Sequence, residues 1–207
     1  MTNNLMQTVA LVEMSITCSV LLILLLQAFA RNGIPFSIKA LLVLIFANLF
    51  FWPLGISMEL PLAAYVRGVI GDLSIVSTLL LWSAMLPNHK ATPTPIKWCI
   101  AIVAIIFYPF ALGVSMFDPY AWGYGSITLL ISVLIFALVC GLVGWTKGVW
   151  IIGIAIIAWS LGWHESSNLW DYLLDPALAI WALFAIWNAI RKQRKEKARS
   201  GYLFRPG

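Results

Sequence analysis

Residues 148–190 read GVWIIGIAIIAWSLGWHESSNLWDYLLDPALAIWALFAIWNAI, and this stretch indicates the architecture of the whole chain. Two apolar runs flank a short segment that holds one histidine, three carboxylates, an amide and two serines. A helix needs roughly 17 to 25 predominantly apolar residues to cross about 30 Å of hydrocarbon. The stretch therefore predicts two membrane-crossing helices joined by a polar loop at residues 163–176.

The composition extends this pattern to all 207 residues, of which 62% are hydrophobic and only 10% are charged. Soluble domains are about 45 to 50% apolar and about 25% charged. Apolar segments recur along the whole length and leave no room for a soluble domain. We predict one all-α, polytopic transmembrane helix bundle in residues 1–190, followed by a basic cytoplasmic tail in residues 191–207.

Clusters of charge, proline and glycine divide the bundle into seven predicted spans. They cover residues 8–30, 39–57, 62–86, 97–114, 125–145, 148–163 and 174–190. The last two are short for a crossing, so six spans with one re-entrant segment remain an alternative. QAFA before Arg31 is similar to a signal-peptide cleavage site, but no basic residue precedes the apolar core and Glu13 interrupts it. We therefore expect an uncleaved first helix.

Orientation follows from the basic residues, because short positively charged loops stay in the cytoplasm. With the N-terminus outside and the C-terminus in the cytoplasm, twelve of the thirteen Lys and Arg face the cytoplasm, and Arg67 is the exception. The carboxylates were not used in this choice, yet seven of the eight then fall in the outer half, namely Glu13, Glu59, Asp72, Asp118, Glu165, Asp171 and Asp175. The polar loop at 163–176 is thus predicted to be exoplasmic.

The tail carries seven basic residues and one acid directly after the last span. We expect it to anchor the topology in the cytosol, and attachment to anionic lipids is the alternative. The net charge of +5 comes mostly from this tail, so nucleic acid is not an expected partner. The expected partners are the lipid bilayer and another membrane protein.

Charged groups inside a membrane usually face the bundle interior or water, which makes Glu13, Asp72 and Arg67 candidates for a functional site. An arginine among carboxylates attracts them, so we predict that Arg67 contacts an acid of another segment: Glu13, Glu165 or Asp171. The predicted polar cluster comprises Glu13, Arg67, Asp72, His164, Glu165 and Asp171. Asp118 and Asp175 each precede a proline and are predicted helix caps instead.

Two further expectations concern helical faces. Asp171 and Asp175 share a face if residues 169–174 are helical, and such a pair can act as general acid and base. In the third span, Gly71, Ser74 and Thr78 follow one face of a helix that we expect at the centre of the bundle.

No metal or cofactor is expected. His164 and Glu165 do not begin an HExxH motif, because residue 168 is Asn, and His89 is predicted on the opposite side of the membrane. Cys18, Cys99 and Cys140 show no CxxC spacing. The chain also lacks a GxSxG elbow, a glycine-rich phosphate loop and a lysine in the last span that could hold retinal.

Three stretches carry a resemblance to a family: AYVRGVIGDLS (64–74), YPFALGVSMFDPYAWGYGS (108–126) and ESSNLWDYLLDP (165–176). They resemble segments of small polytopic inner-membrane proteins of bacteria. The resemblance covers most of the chain and implies a bacterial inner-membrane location, and it implies no activity, cofactor or partner.

Three functions are compatible with these features. The leading expectation is a non-enzymatic accessory or scaffold subunit for cell-envelope assembly, because the loops are short and no catalytic motif is present. The second is a small transporter or channel whose polar path is lined by Glu13, Asp72 and Arg67. The third is a lipid- or glycan-modifying enzyme of the outer face.

Overall fold

The computed structural model describes residues 2–29, 33–55, 59–87 and 89–203. Within these ranges the chain forms nine α-helices and one 3-10 turn, and no β-strand. The helices are α1 (Thr2–Phe29), α2 (Phe36–Phe51), α3 (Leu62–Ile70), α4 (Ile75–Ser83), α5 (Thr94–Ala111), α6 (Ile127–Leu142), α7 (Thr146–Ser160), α8 (Trp170–Leu173) and α9 (Pro176–Leu203). The 3-10 turn is Tyr120–Gly123. The predicted all-helical fold class is confirmed.

Among the described residues, two helices are long and apolar enough to cross a membrane by length and composition: Leu5–Phe29 within α1, and α5. The apolar helices α2, α6 and α7 are shorter, with 16, 16 and 15 residues. Sixteen residues at 1.5 Å each give about 24 Å, less than the roughly 30 Å hydrocarbon layer. Large apolar side chains are exposed on the outer faces, for example Trp150 and Phe184. Exposed apolar surface marks contact with a membrane or with another protein.

The third predicted span is not one continuous helix. α3 ends at Ile70, and Gly71 adopts a φ of +76° while its N–H bonds to the carbonyl of Arg67 at 2.8 Å. Glycine is favoured at such positive φ values because it has no Cβ. Ser74 then caps α4 by accepting a hydrogen bond from the N–H of Ser77 at 3.1 Å. The predicted helical face through Gly71, Ser74 and Thr78 is therefore wrong, since Gly71 lies at the break.

The short helix α4 nevertheless lies inside the bundle, as expected for the third segment. It contacts α1, α7, α8 and α9, whereas α5 packs on α9 and α6 packs on α7. Ile75 and Val76 of α4 share one core with Ala155 of α7 and Tyr172 of α8. Ala155 and Tyr172 are 0% exposed, so neighbouring helices approach closely here. This core supports the end of the bundle that holds the polar loop 163–176.

The loop 163–176 is fastened to the segment that contains the 3-10 turn. The Asn168 side chain donates to the carbonyl of Tyr120 and accepts from the N–H of Trp170, both at 2.9 Å. The N–H of Leu169 bonds to the carbonyl of Gly123 at 2.9 Å. A Cβ at Gly123 would lie 1.6 Å from Asn168 Oδ1, so only glycine fits there. Asp118 Oδ1 accepts the N–H of Tyr120, the first residue of the 3-10 turn, at 2.9 Å, whereas the cap position of that turn is Pro119 and no long helix starts there as predicted.

The opposite end of α7 carries basic groups. Lys147 Nζ donates to Ser83 Oγ at 3.2 Å and to the carbonyl of Lys90 at 2.9 Å. Partial desolvation, followed by the charge of Lys147, lowers the pKa of His89. Arg31, predicted to be in the same cytoplasmic region, lies outside the described residues. The basic tail begins as a continuation of α9, which extends to Leu203.

Candidate functional site

Asp175 joins the start of α9 to the break between α3 and α4. Its Oδ1 accepts the N–H of Leu178 at 2.6 Å, which confirms the predicted cap of the last long helix. Its Oδ2 accepts the N–H of Ser74 at 2.7 Å, a contact that sequence reasoning did not predict. With 6% of its surface exposed, Asp175 is a buried structural carboxylate.

The predicted helical pairing of Asp171 with Asp175 is wrong. α8 covers only Trp170–Leu173, and Leu174 has an extended backbone with φ −139° and ψ 126°. This residue interrupts the helix between the two carboxylates, so they do not lie one turn apart on a common face. Asp171 Oδ2 instead accepts hydrogen bonds from the hydroxyls of Tyr120, at 3.0 Å, and Ser166.

Arg67 bridges two segments, as predicted. Its guanidinium contacts both carboxylate oxygens of Asp72, with Nη2 at 2.8 Å from Oδ2, and Nη2 also donates to Glu165 Oε1 at 3.1 Å. Glu165 belongs to the polar loop, so the predicted contact with an acid of another segment is confirmed. Asp72 follows Arg67 by five residues, and the break after Ile70 turns the chain so that the two side chains meet. Bidentate arginine–carboxylate pairs are among the strongest polar contacts in proteins.

A second polar group joins α1 to the loop. Glu13 Oε2 accepts the indole N–H of Trp163 at 3.0 Å and lies 3.2 Å from His164 Nε2. The imidazole is 5% exposed and stacks on the Tyr172 ring, with ring centroids 4.9 Å apart. Glu13 is thus fixed by two side chains that follow directly after α7.

The tyrosines around this group act as hydrogen-bond donors. Tyr172 accepts the N–H of His164 and donates to the carbonyl of Ser166, both at 3.0 Å, and burial raises its pKa. Burial, followed by the neighbouring Tyr124 and Asp171, raises the pKa of Tyr120. Both hydroxyls therefore keep their protons at neutral pH.

These residues surround a cavity of about 500 Å³ at this end of the bundle, which we call the acidic cavity. Its polar lining residues are Asp72, His164, Glu165, Ser166, Asp171 and Asp175, and its apolar or aromatic lining residues are Phe107, Tyr108, Ala111, Leu112, Tyr120, Leu174 and Pro176. Among the residues that the structure describes, four carboxylates and neither lysine nor arginine line it.

The structure brings five of the six predicted cluster residues together in two groups. Arg67, Asp72 and Glu165 form one, and Glu13 and His164 form the other. Asp171 lines the acidic cavity but belongs to neither group, because its hydrogen-bond partners are Tyr120 and Ser166. Sequence reasoning missed Tyr108, Tyr120 and Tyr172, because tyrosines next to apolar runs are also typical of the membrane boundary.

No protein-family model, curated protein or solved structure matches the chain. In the described part of the chain, no three His, Cys, Asp or Glu side chains converge in a way that holds a metal ion. The geometry and charge of the acidic cavity are therefore the basis for inferring a function.

Proposed function

We propose that this chain is a multi-pass protein of the bacterial inner membrane, with seven transmembrane segments, its N-terminus outside and its C-terminus in the cytoplasm. The segments correspond to α1, α2, the α3–α4 pair, α5, α6, α7 and α9. Their exposed apolar side chains support this proposal, as do the opposite charges at the two ends of α7, with Lys147 at its start and Glu165 after its end. The acidic cavity then opens at the outer face.

Its proposed role is that of a non-enzymatic accessory or scaffold subunit in cell-envelope assembly, which receives a basic side chain of a partner membrane protein in the acidic cavity. The observation that carries the proposal is the charge of the cavity. Four carboxylates line it, and Arg67, which pairs with Asp72 and Glu165, compensates one of them. The other two, Asp171 and Asp175, form no ion pair with any described residue.

The apolar and aromatic lining residues indicate what kind of cation fits. Aromatic rings such as those of Tyr108 and Tyr120 attract cations through their π faces, and apolar side chains pack against an alkyl stem. A lysine or arginine near the outer end of a partner helix combines both properties. Binding is favoured over catalysis because the candidate acid–base groups already have hydrogen-bond partners within the protein. His164 contacts Glu13, and Asp171 accepts hydrogen bonds from Tyr120 and Ser166.

Site-specific photo-crosslinking in cells tests this role. The probe amino acid replaces Leu112, which lines the acidic cavity and is 82% exposed. The matched control position is Leu142, 79% exposed at the far end of α6. We expect one discrete crosslinked product from position 112, and its loss when Glu165→Gln and Asp171→Asn are combined with the probe.

Two outcomes contradict the proposal. One is a product at position 112 that persists at full yield after both carboxylates are neutralised. The other is an equal product from position 142, which would indicate non-specific neighbours in the bilayer. The amount of folded protein in the membrane is measured in each strain, so that loss of the product is not confused with loss of the protein.

A small transporter is the second candidate, because of the break between α3 and α4. Discontinuous helices with charged groups at the break are a recurring feature of transporter binding sites. Asp72 lies in this break, and polar side chains continue inward along the α1–α4 contact, where Trp82 Nε1 donates to Thr17 Oγ1 at 3.1 Å. The polar path would begin at Glu13, Asp72 and Arg67.

Flux in reconstituted vesicles tests this second candidate. Wild-type protein should carry a proton- or ion-dependent flux that Glu13→Gln abolishes, whereas Glu196→Gln in the exposed tail should leave it unchanged. Flux that is indistinguishable between protein-containing and empty vesicles would exclude transport of the ions supplied.

A further inference from the structure

A small space of about 10 Å³ lies between α1 and the start of α4, behind the acidic cavity. Its polar walls are formed by Glu13, Thr17, Asp72, Thr78 and His164. Asp72 and His164 also line the acidic cavity, and Glu13 and Thr78 also line an apolar groove of about 410 Å³ between α1, α4 and α7. The space therefore separates a polar compartment from an apolar one.

The Thr78 hydroxyl is the unusual group in this space. Thr78 is only 2% exposed, and its Oγ1 has no hydrogen-bond partner among the described residues. Helical serines and threonines usually bond back to a carbonyl one turn earlier, as Ser15 and Thr17 do here at 2.7 Å. A buried hydroxyl without a partner is costly, so this one points to a ligand that satisfies it.

The chemistry of the walls selects the ligand. Trp163 and His164 both contact Oε2 of Glu13, so neither of them occupies Oε1. The carboxylate of Asp72 adds further acceptor oxygens. The Thr78 hydroxyl needs an acceptor for its hydrogen. A cation would contact the carboxylates but would leave that hydrogen unsatisfied, whereas water donates two hydrogen bonds and accepts others. A volume of about 10 to 15 Å³ holds one water molecule.

We propose that this space is a binding site for a single water molecule, which accepts from Thr78 and donates to Glu13 and Asp72. It joins the two polar groups into one chain: His164, Glu13, water, Asp72, Arg67 and Glu165. Glu13, at the edge of the apolar groove, thereby gains a proton-exchange path to the acidic cavity. The inference is independent of the partner proposed for that cavity.

The sign of one stability change tests the site. Thr78→Val keeps the shape of the side chain and removes the hydroxyl. If water binds as proposed, the variant should unfold at a temperature about 2 to 4 °C below the wild type, the shift that corresponds to about one hydrogen bond in a chain of this size. If the hydroxyl is an orphan, its removal should leave the midpoint unchanged or raise it, and that result overturns the proposal.

A double-mutant cycle that combines Thr78→Val with Glu13→Gln gives a second test, and the measured quantity is the loss of stability in each variant. Thr78 and Glu13 share no direct hydrogen bond, and the proposed water is the hydrogen-bonded link between them, so their stability losses should be coupled. We expect the double variant to lose less than the sum of the two single losses, and simple additivity contradicts the bridge. A structure that resolves ordered solvent gives a direct measurement: density within hydrogen-bonding distance of Thr78 Oγ1 and both carboxylates supports the site, and its absence overturns it.

Discussion

Replacing Arg67 with leucine tests the polar cluster most sharply. The change removes the guanidinium from two carboxylates that differ in exposure. The side chains of Arg67 and Asp72 are 20% and 26% exposed, whereas the Glu165 side chain is 61% exposed. The partly buried Asp72 should therefore account for most of the effect, and Glu165 for little of it.

The expected magnitude follows from these exposures. Hydrogen bonds to charged groups contribute about 1.5 to 3 kcal/mol each, and exposed ion pairs contribute about 0 to 1 kcal/mol. Arg67→Leu strands Asp72 and should cost about 2 to 3 kcal/mol, whereas Glu165→Gln should cost at most about 1 kcal/mol. At about 2 to 4 °C per kcal/mol, the midpoint of thermal unfolding should fall by roughly 4 to 12 °C for the first variant and by no more than about 4 °C for the second.

Thermal unfolding of the purified protein in one detergent and buffer gives these midpoints. Asp72→Asn in the Arg67→Leu background should recover part of the loss, because it removes the stranded charge. Three results would refute the reasoning: a neutral Arg67→Leu variant, a Glu165→Gln loss as large as that of Arg67→Leu, or a double variant less stable than Arg67→Leu alone.

Three further changes follow from the structure. Asp175→Leu should cost more stability than Asp175→Asn, because asparagine keeps one of the two acceptor oxygens; equal losses in denaturation experiments would contradict the double capping role. Gly123→Ala should lower the unfolding midpoint strongly, because its Cβ meets Asn168, whereas the control Gly153→Ala, with no heavy atom within 4 Å of the added Cβ, should be neutral or slightly stabilising. The pKa of His89 is lowered in the folded state, so its contribution to stability is present above the unfolded pKa of about 6.5 and is lost as the pH falls through the folded value. His89→Gln should therefore lose less stability than the wild type between pH 8 and pH 5, and a parallel decline would exclude this contribution.

Apolar composition alone predicted the helical fold, and every predicted span contains a helix. The break in the third span was not predicted, although VIGDLS at residues 69–74 holds a glycine that can end a helix and a serine that can begin one. High hydropathy on both sides outweighed this signal. Hydropathy measures burial or lipid contact and carries little information on a single backbone turn.

The candidate site was predicted in part. Charge alone indicated that Arg67 pairs with a distant acid, but only the fold selects Glu165, which is 98 residues away. The second hydrogen bond of Asp175, to the N–H of Ser74, depends on where the helix break lies. Contacts of this kind arise from the packing of whole elements, and no local spacing in the sequence encodes them.

The sidedness of the acidic cavity is the central claim, and cysteine labelling measures it directly. In a variant without Cys18, Cys99 and Cys140, a single cysteine replaces either Ser167 in the polar loop or Lys90 at the basic end, both of which are exposed. A membrane-impermeant maleimide is applied to intact spheroplasts and, separately, to lysed ones. The account predicts that Ser167→Cys is labelled in intact spheroplasts and that Lys90→Cys is labelled only after lysis. Labelling of Lys90→Cys in intact spheroplasts, together with protection of Ser167→Cys until lysis, would contradict it.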